Sequence, residues 1–119
     1  TSYFLNLVVD SEKPVVLTAA MRPSTALSAD GPLNIFNAVA VAADSGASGR
    51  GVLVVANDEI HGARALTKTH TTDVQTFMSP EKGLIGTSLY GVNTFGAVMG
   101  ASAAGFLMLA RAVSIQASR

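Results

Sequence analysis

Residues 66–74 read LTKTHTTDV. Lys68 stands between Thr67 and Thr69, with Thr71, Thr72 and Asp73 close behind. A lysine held near hydroxyls and a carboxylate can relay a proton when burial or nearby charge adjusts its pKa. Successive side chains on a strand point to opposite faces, so Thr67 and Thr69 would face away from Lys68. Its hydroxyl partner would have to come from elsewhere. Spacing alone therefore favours an exposed lysine on a polar strand.

Two other stretches could do chemistry. Met21–Gly31, MRPSTALSADG, combines hydroxyls, Arg22 and the start of a helix, the materials of an anion site. The plainer reading is a structural loop in which Arg22 packs and Asp30 caps. Asn57–His61, NDEIH, brings two acids beside a histidine. A metal site wants three or four converging ligands, and only His70 adds a second imidazole, which argues against one. No dinucleotide fingerprint, phosphate-binding loop or nucleophile-elbow motif is present.

The elements that would position these residues follow from periodicity. Tyr3, Phe4, Leu7 and Val8 have the spacing of a buried helical face, and the polar DSEKP stretch stops that helix. Val15–Met21 is a short apolar, β-branched run, as expected for a parallel strand buried on both faces. A helix is predicted from Asp30–Pro32, with Ser28 or Asp30 as cap and Pro32 in the first turn. Its buried stripe is predicted to be Ile35, Val39 and Ala42, flanked by Phe36 and Ala43. Gly51–Asp58 reads as a second buried strand, completing a βαβ unit. Ligands of open α/β sheets gather at the carboxyl ends of strands. Here those ends are Ala19–Arg22 and Ala56–Glu59. Beyond them the chain is polar and extended around Ala65–Thr69, then turns at SPEKG.

The chain has 119 residues, room for one domain or a piece of one. Eight acids balance eight bases, which leaves no electrostatic footprint for nucleic acid. Without cysteine there is no disulfide framework. The first residue is threonine and no signal segment is visible, as expected of a chain that starts inside a longer protein. From Gly83 to Ala110 no residue is charged. Gly96 and Gly100 there are spaced as GxxxG, so a membrane span through Phe95–Ala112 is an alternative to a small-residue helix in a soluble core. Polar residues and glycines dilute the stretch, and a membrane role is the less favoured reading.

The succession TSYFLNLVVDSEKPVVLTAAMRPSTALSADGPLNIFNAVAVA, RGVLVVANDEI and TKTHTTDVQTF resembles the bacterial type II L-asparaginases and glutaminase-asparaginases over about residues 1–86. That resemblance implies part of an α/β asparaginase N-terminal domain. It also implies an amidohydrolase that converts L-asparagine, often L-glutamine too, to the acid and ammonia, with no metal or organic cofactor. The family uses a threonine nucleophile and a Thr-Lys-Asp relay. Lys68 matches the relay lysine, and Ala20, in AAMRP, matches the residue whose backbone carbonyl meets the substrate amide. The segments that carry the family's two threonines and relay aspartate would precede Thr1, so the 119-residue chain alone is expected to be inactive. The family is usually tetrameric, and the type II resemblance implies a periplasmic parent. After Tyr90 the likeness fades, which divides the chain into an asparaginase-like part, 1–90, and an apolar Gly/Ala-rich tail, 91–119. The alternative function is a non-catalytic piece that self-associates through an open sheet edge and apolar surface, or lies on a membrane.

Overall fold

The computed structural model describes residues 1–96. The order is α1 (Ser2–Val8), β1 (Val15–Thr18), α2 (Gly31–Ala42), a 3-10 turn at Ser45–Ala47, β2 (Val52–Ala56), β3 (Glu59–Gly62), β4 (Thr67–Lys68), β5 (Phe77–Met78), β6 (Gly86–Leu89) and β7 (Val92–Phe95). Five strands form one mixed sheet in the order β1-β2-β3-β6-β7. β4 and β5 form a separate ribbon.

The predicted βαβ unit is present: β1 and β2 run parallel, with Val16 opposite Leu53 and Thr18 opposite Val55. Every residue of β2 is buried, as its unbroken apolar run requires. β1 is shorter than Val15–Met21 and only half-buried, because it lies at the edge of the described sheet. The rest of the sheet is antiparallel and turns on residues of positive φ. Asn57 (52°) and Asp58 (62°) reverse β2 into β3, and Tyr90 (48°) and Gly91 (80°) reverse β6 into β7. Two successive positive φ values are what a tight two-residue hairpin demands. Asn57–Asp58 is therefore a turn, and Glu59 and His61 belong to a strand rather than to a loop cluster with His70.

The helices form where expected but present different faces. Tyr3, Phe4, Leu7 and Val8 of α1 are all more than half exposed, so the predicted buried face looks outward. On α2 the predicted stripe is also outward: Ile35, Phe36 and Val39 are 57%, 56% and 64% exposed, and Ala42 and Ala43 are exposed too. The buried face is Asn34, Asn37, Ala38 and Val41. Their i, i+3, i+4, i+7 spacing is that of a helix face, yet half of it is amide. Ala38 and Val41 pack with Ala47, Leu53, Val55 and Ile60 in the core, and the two asparagines bond to turn and strand-end backbone. Hydrogen bonds rather than hydrophobicity thus select that face.

No helix among the described residues is long and apolar enough to cross a membrane. The candidate span Phe95–Ala112 lies, beyond Gly96, outside the described residues.

Candidate functional site at the carboxyl ends of β1 and β2

Asn34 bridges the backbone that leaves the two parallel strands. Its Nδ2 donates to the Ala19 carbonyl at 2.8 Å, and its Oδ1 accepts from the Asn57 N–H at 3.1 Å. Asn34 is 3% exposed, so both bonds are shielded from water. One turn further along α2, Asn37 does the same for the hairpins. Its Nδ2 donates to Asp58 Oδ1 at 3.0 Å, and its Oδ1 accepts from the Gly91 N–H at 2.9 Å.

Asp30 stands at the N-cap of α2, as its sequence position suggested, but its carboxylate does not cap that helix. It accepts instead from Met21 N–H (2.9 Å to Oδ2) and Arg22 N–H (2.9 Å to Oδ1). Arg22 Nη1 donates to the Ser28 carbonyl at 3.0 Å and closes the loop. The Met21–Gly31 loop therefore carries its own anion, which occupies the backbone donors that an external anion would need. Burial alone would push Asp30 up, but the N–H groups of Met21 and Arg22, its own N–H and the Arg22 charge together hold it below its usual value. Asp58 moves the other way. Burial raises it and the Glu59 charge adds to that rise, against the Asn37 hydrogen bond.

These residues border a cavity of about 240 Å3 that includes Arg22, Asp30, Asn34, Asn57 and Asp58. Val74, from the loop between β4 and β5, also lines it. Ala20 and Lys68 are outside this lining. Ala20 is exposed one residue past the carbonyl that Asn34 holds. Lys68 is exposed on β4, opposite Phe77 of β5, with Nζ 5.9 Å from the Phe77 ring centre, the outer limit of a cation–π contact. It makes no hydrogen bond or ion pair among the described residues, and Thr67 and Thr69 are neighbours rather than partners. The structure thus places Ala20 at a pinned strand end and Lys68 on a ribbon whose loop reaches the same cavity, without joining them.

The third candidate stretch disperses. His61 is fully buried on β3, with Nδ1 2.9 Å from Ser79 Oγ. Its Nε2 faces Glu59 Oε2 at 3.4 Å but is too poorly placed to make a hydrogen bond. His70 is exposed in another loop. No group of three potential metal ligands converges among the described residues. Sequence reasoning missed Asn34 and Asn37. Their one signal was two amides at i and i+3, in register with Ala38 and Val41 on a helix otherwise rich in apolar residues.

Comparison with known proteins adds the context. The family model for the asparaginase N-terminal domain matches residues 1–96. The chain is 65% identical over 86 residues to a probable periplasmic L-asparaginase of Haemophilus influenzae, covering 72% of this chain and 25% of that protein. It is 50% identical over 91 residues to a glutaminase-asparaginase of Acinetobacter glutaminasificans, covering 76% of this chain and 27% of that one. The fold is similar to a crystal structure of a probable cytoplasmic L-asparaginase from Campylobacter jejuni, with TM-score 0.79 and 50% identity over 81% of this chain and 30% of that one. The chain spans about a quarter of the length of the curated relatives it matches.

Proposed function

The chain belongs to the asparaginase family, and from that membership we propose that it contributes part of a site hydrolysing the side-chain amide of L-asparagine, with L-glutamine as a second substrate. The observation that carries this reading is the family match over residues 1–96, a span that includes both Ala20 and Lys68. In the reaction, a threonine hydroxyl adds to the amide carbonyl and ammonia leaves. Water then cleaves the acyl-enzyme to release the acid. Lys68 relays the proton that the threonine gives up, and the Ala20 carbonyl accepts a hydrogen bond from the substrate amide. The placement of the Ala19–Ala20 backbone at a pinned strand end supports the second role. Neither step calls on a metal or organic cofactor.

The threonine and its aspartate partner come, in this reading, from polypeptide outside residues 1–119, so the chain alone releases negligible ammonia from asparagine. The whole protein is a homo-oligomer, and a periplasmic location is supported by the name of the Haemophilus influenzae relative. We assign residues 1–96 to the asparaginase-like unit, past the expected boundary at residue 90, because β7 pairs with β6 in the same sheet and the family model reaches residue 96.

A chimera tests the assignment. Residues 1–86 replace the matching segment of the Haemophilus influenzae relative, and ammonia release is assayed with and without Lys68→Met. Loss of a proton-relay group lowers kcat by about 100-fold or more. A Lys68→Met chimera with the activity of its parent would remove Lys68 from the mechanism. Full turnover by the 119-residue chain alone would overturn the need for outside residues.

A second reading, a self-associating non-catalytic piece, is favoured by one observation. Tyr3, Phe4 and Leu7 of α1 and Ile35, Phe36 and Val39 of α2 are all more than half exposed.

A further inference from the structure

β4 and β5 are two residues each, and no ladder joins them to the five-stranded sheet. A ribbon that short does not hold its place unaided. Its own closure is well made. The Thr69 N–H donates to the Thr76 carbonyl at 2.8 Å. The fully buried Thr76 hydroxyl meets both the N–H and the carbonyl of His70. Those bonds shape the ribbon but do not anchor it. At the other end Ser79 directly follows β5 and meets His61 Nδ1 at 2.9 Å. Ser79 is 8% exposed and His61 0%. His61 projects from β3, the central strand of the sheet.

Building on the assignment of Lys68 as the relay lysine, we infer that His61 is a positioning residue: through Ser79 it docks the β4–β5 ribbon, and so Lys68, on the central strand. The type of residue supports this. Leucine would fill the same buried space without desolvating a polar ring. His61 Nε2 lies 3.4 Å from Glu59 Oε2 without a hydrogen bond, so the directional hydrogen bond that the ring makes is the one at Nδ1. A single bond at that point fixes the strand that pairs with Lys68, since Phe77, two residues before Ser79, is the register partner of Lys68.

The test uses the 119-residue chain and reads no activity. Amide hydrogen exchange is followed at Thr69, and the Lys68 ε-methylene resonance reports its distance from the Phe77 ring. His61→Leu and Ser79→Ala should each speed exchange at Thr69 by about tenfold or more. They should also move the Lys68 resonance toward that of an unstructured lysine, with Val54 protection unchanged. His61→Asn, whose amide can reach the position of Nδ1, should restore both readouts. Thr69 exchange within about twofold of the parent in Ser79→Ala would overturn the inference, even if His61→Leu did not fold. So would an Asn variant no better than the Leu variant. Because the readouts concern docking alone, a catalytically silent Lys68→Met would refute the assignment of Lys68 and leave this result standing.

Discussion

Replacing Asp30 by alanine removes one carboxylate and strands two backbone donors, those of Met21 and Arg22. Charge-assisted bonds of this kind make the expected loss about 1.5–3 kcal/mol, read from urea unfolding. Its pH dependence follows from the direction of the shift. Asp30 titrates below its ordinary 3.8 in the folded chain. Its contribution is therefore complete above 3.8 and is lost as the pH falls through the lower folded value. Asp30→Asn should flatten that acid limb. Asp58 has the opposite sign, raised by burial and then by Glu59. It favours the fold while protonated, and that contribution is lost as the pH rises from 3.8 through its higher folded value. Asp58→Asn keeps an acceptor for Asn37 and a residue type that tolerates positive φ. The variant should unfold at a higher urea concentration than the parent at pH 7, with the difference shrinking toward pH 4. A lower midpoint at pH 7 would contradict the assigned cause.

Among the elements, the β6–β7 hairpin depends on a glycine that no periodicity marks. A Cβ at Gly86 would run into the Thr94 carbonyl across the ladder, so close that backbone would have to move. Gly86→Ala should cost about 2–3 kcal/mol, seen as a lowered thermal midpoint. A neutral substitution would mean the strands pair differently. The same scale shows what could be read from the chain. β2 was legible because five consecutive apolar residues leave no exposed face. α2 was legible in extent from Asp30 and Pro32, but not in orientation. Hydrophobic patterning ranks Ile35, Phe36 and Val39 above Asn34 and Asn37, whereas five backbone and side-chain partners reward the amides. β3 was hidden because Asn57–Asp58 looks like a loop until both φ values are known. Of the site, residue types singled out Lys68 and strand topology singled out the strand end that holds Ala20, but their roles came only through family likeness. Spacing alone left Lys68 a solvated strand residue, and its local surroundings match that description.

At the scale of the molecule, the covered and uncovered surfaces are unequal. The core is compact around Val41, Leu53, Val55 and Ile60, all fully buried. The outward faces of both helices nevertheless carry large apolar side chains. Exposed large apolar side chains on each helix favour association. Light scattering during size-exclusion chromatography should show a mass that rises with concentration. The double variant Leu7→Lys, Val39→Lys should return it toward the 12.2 kDa of the single chain. A parent that stays monomeric across the range would count against association through these helices.

Asn34 gives this arrangement a further property. The gap between the two strand ends is measured by one side chain rooted in a helix, so it works as a gauge block rather than a hinge. Lengthening either adjoining loop leaves the gauge untouched. Sliding α2 by a single residue would present Leu33 or Ile35 in its place, and neither can donate to one strand end while accepting from the other. The mouth of the cavity is therefore tolerant of change in the loops that form its rim and intolerant of change in the helix behind it.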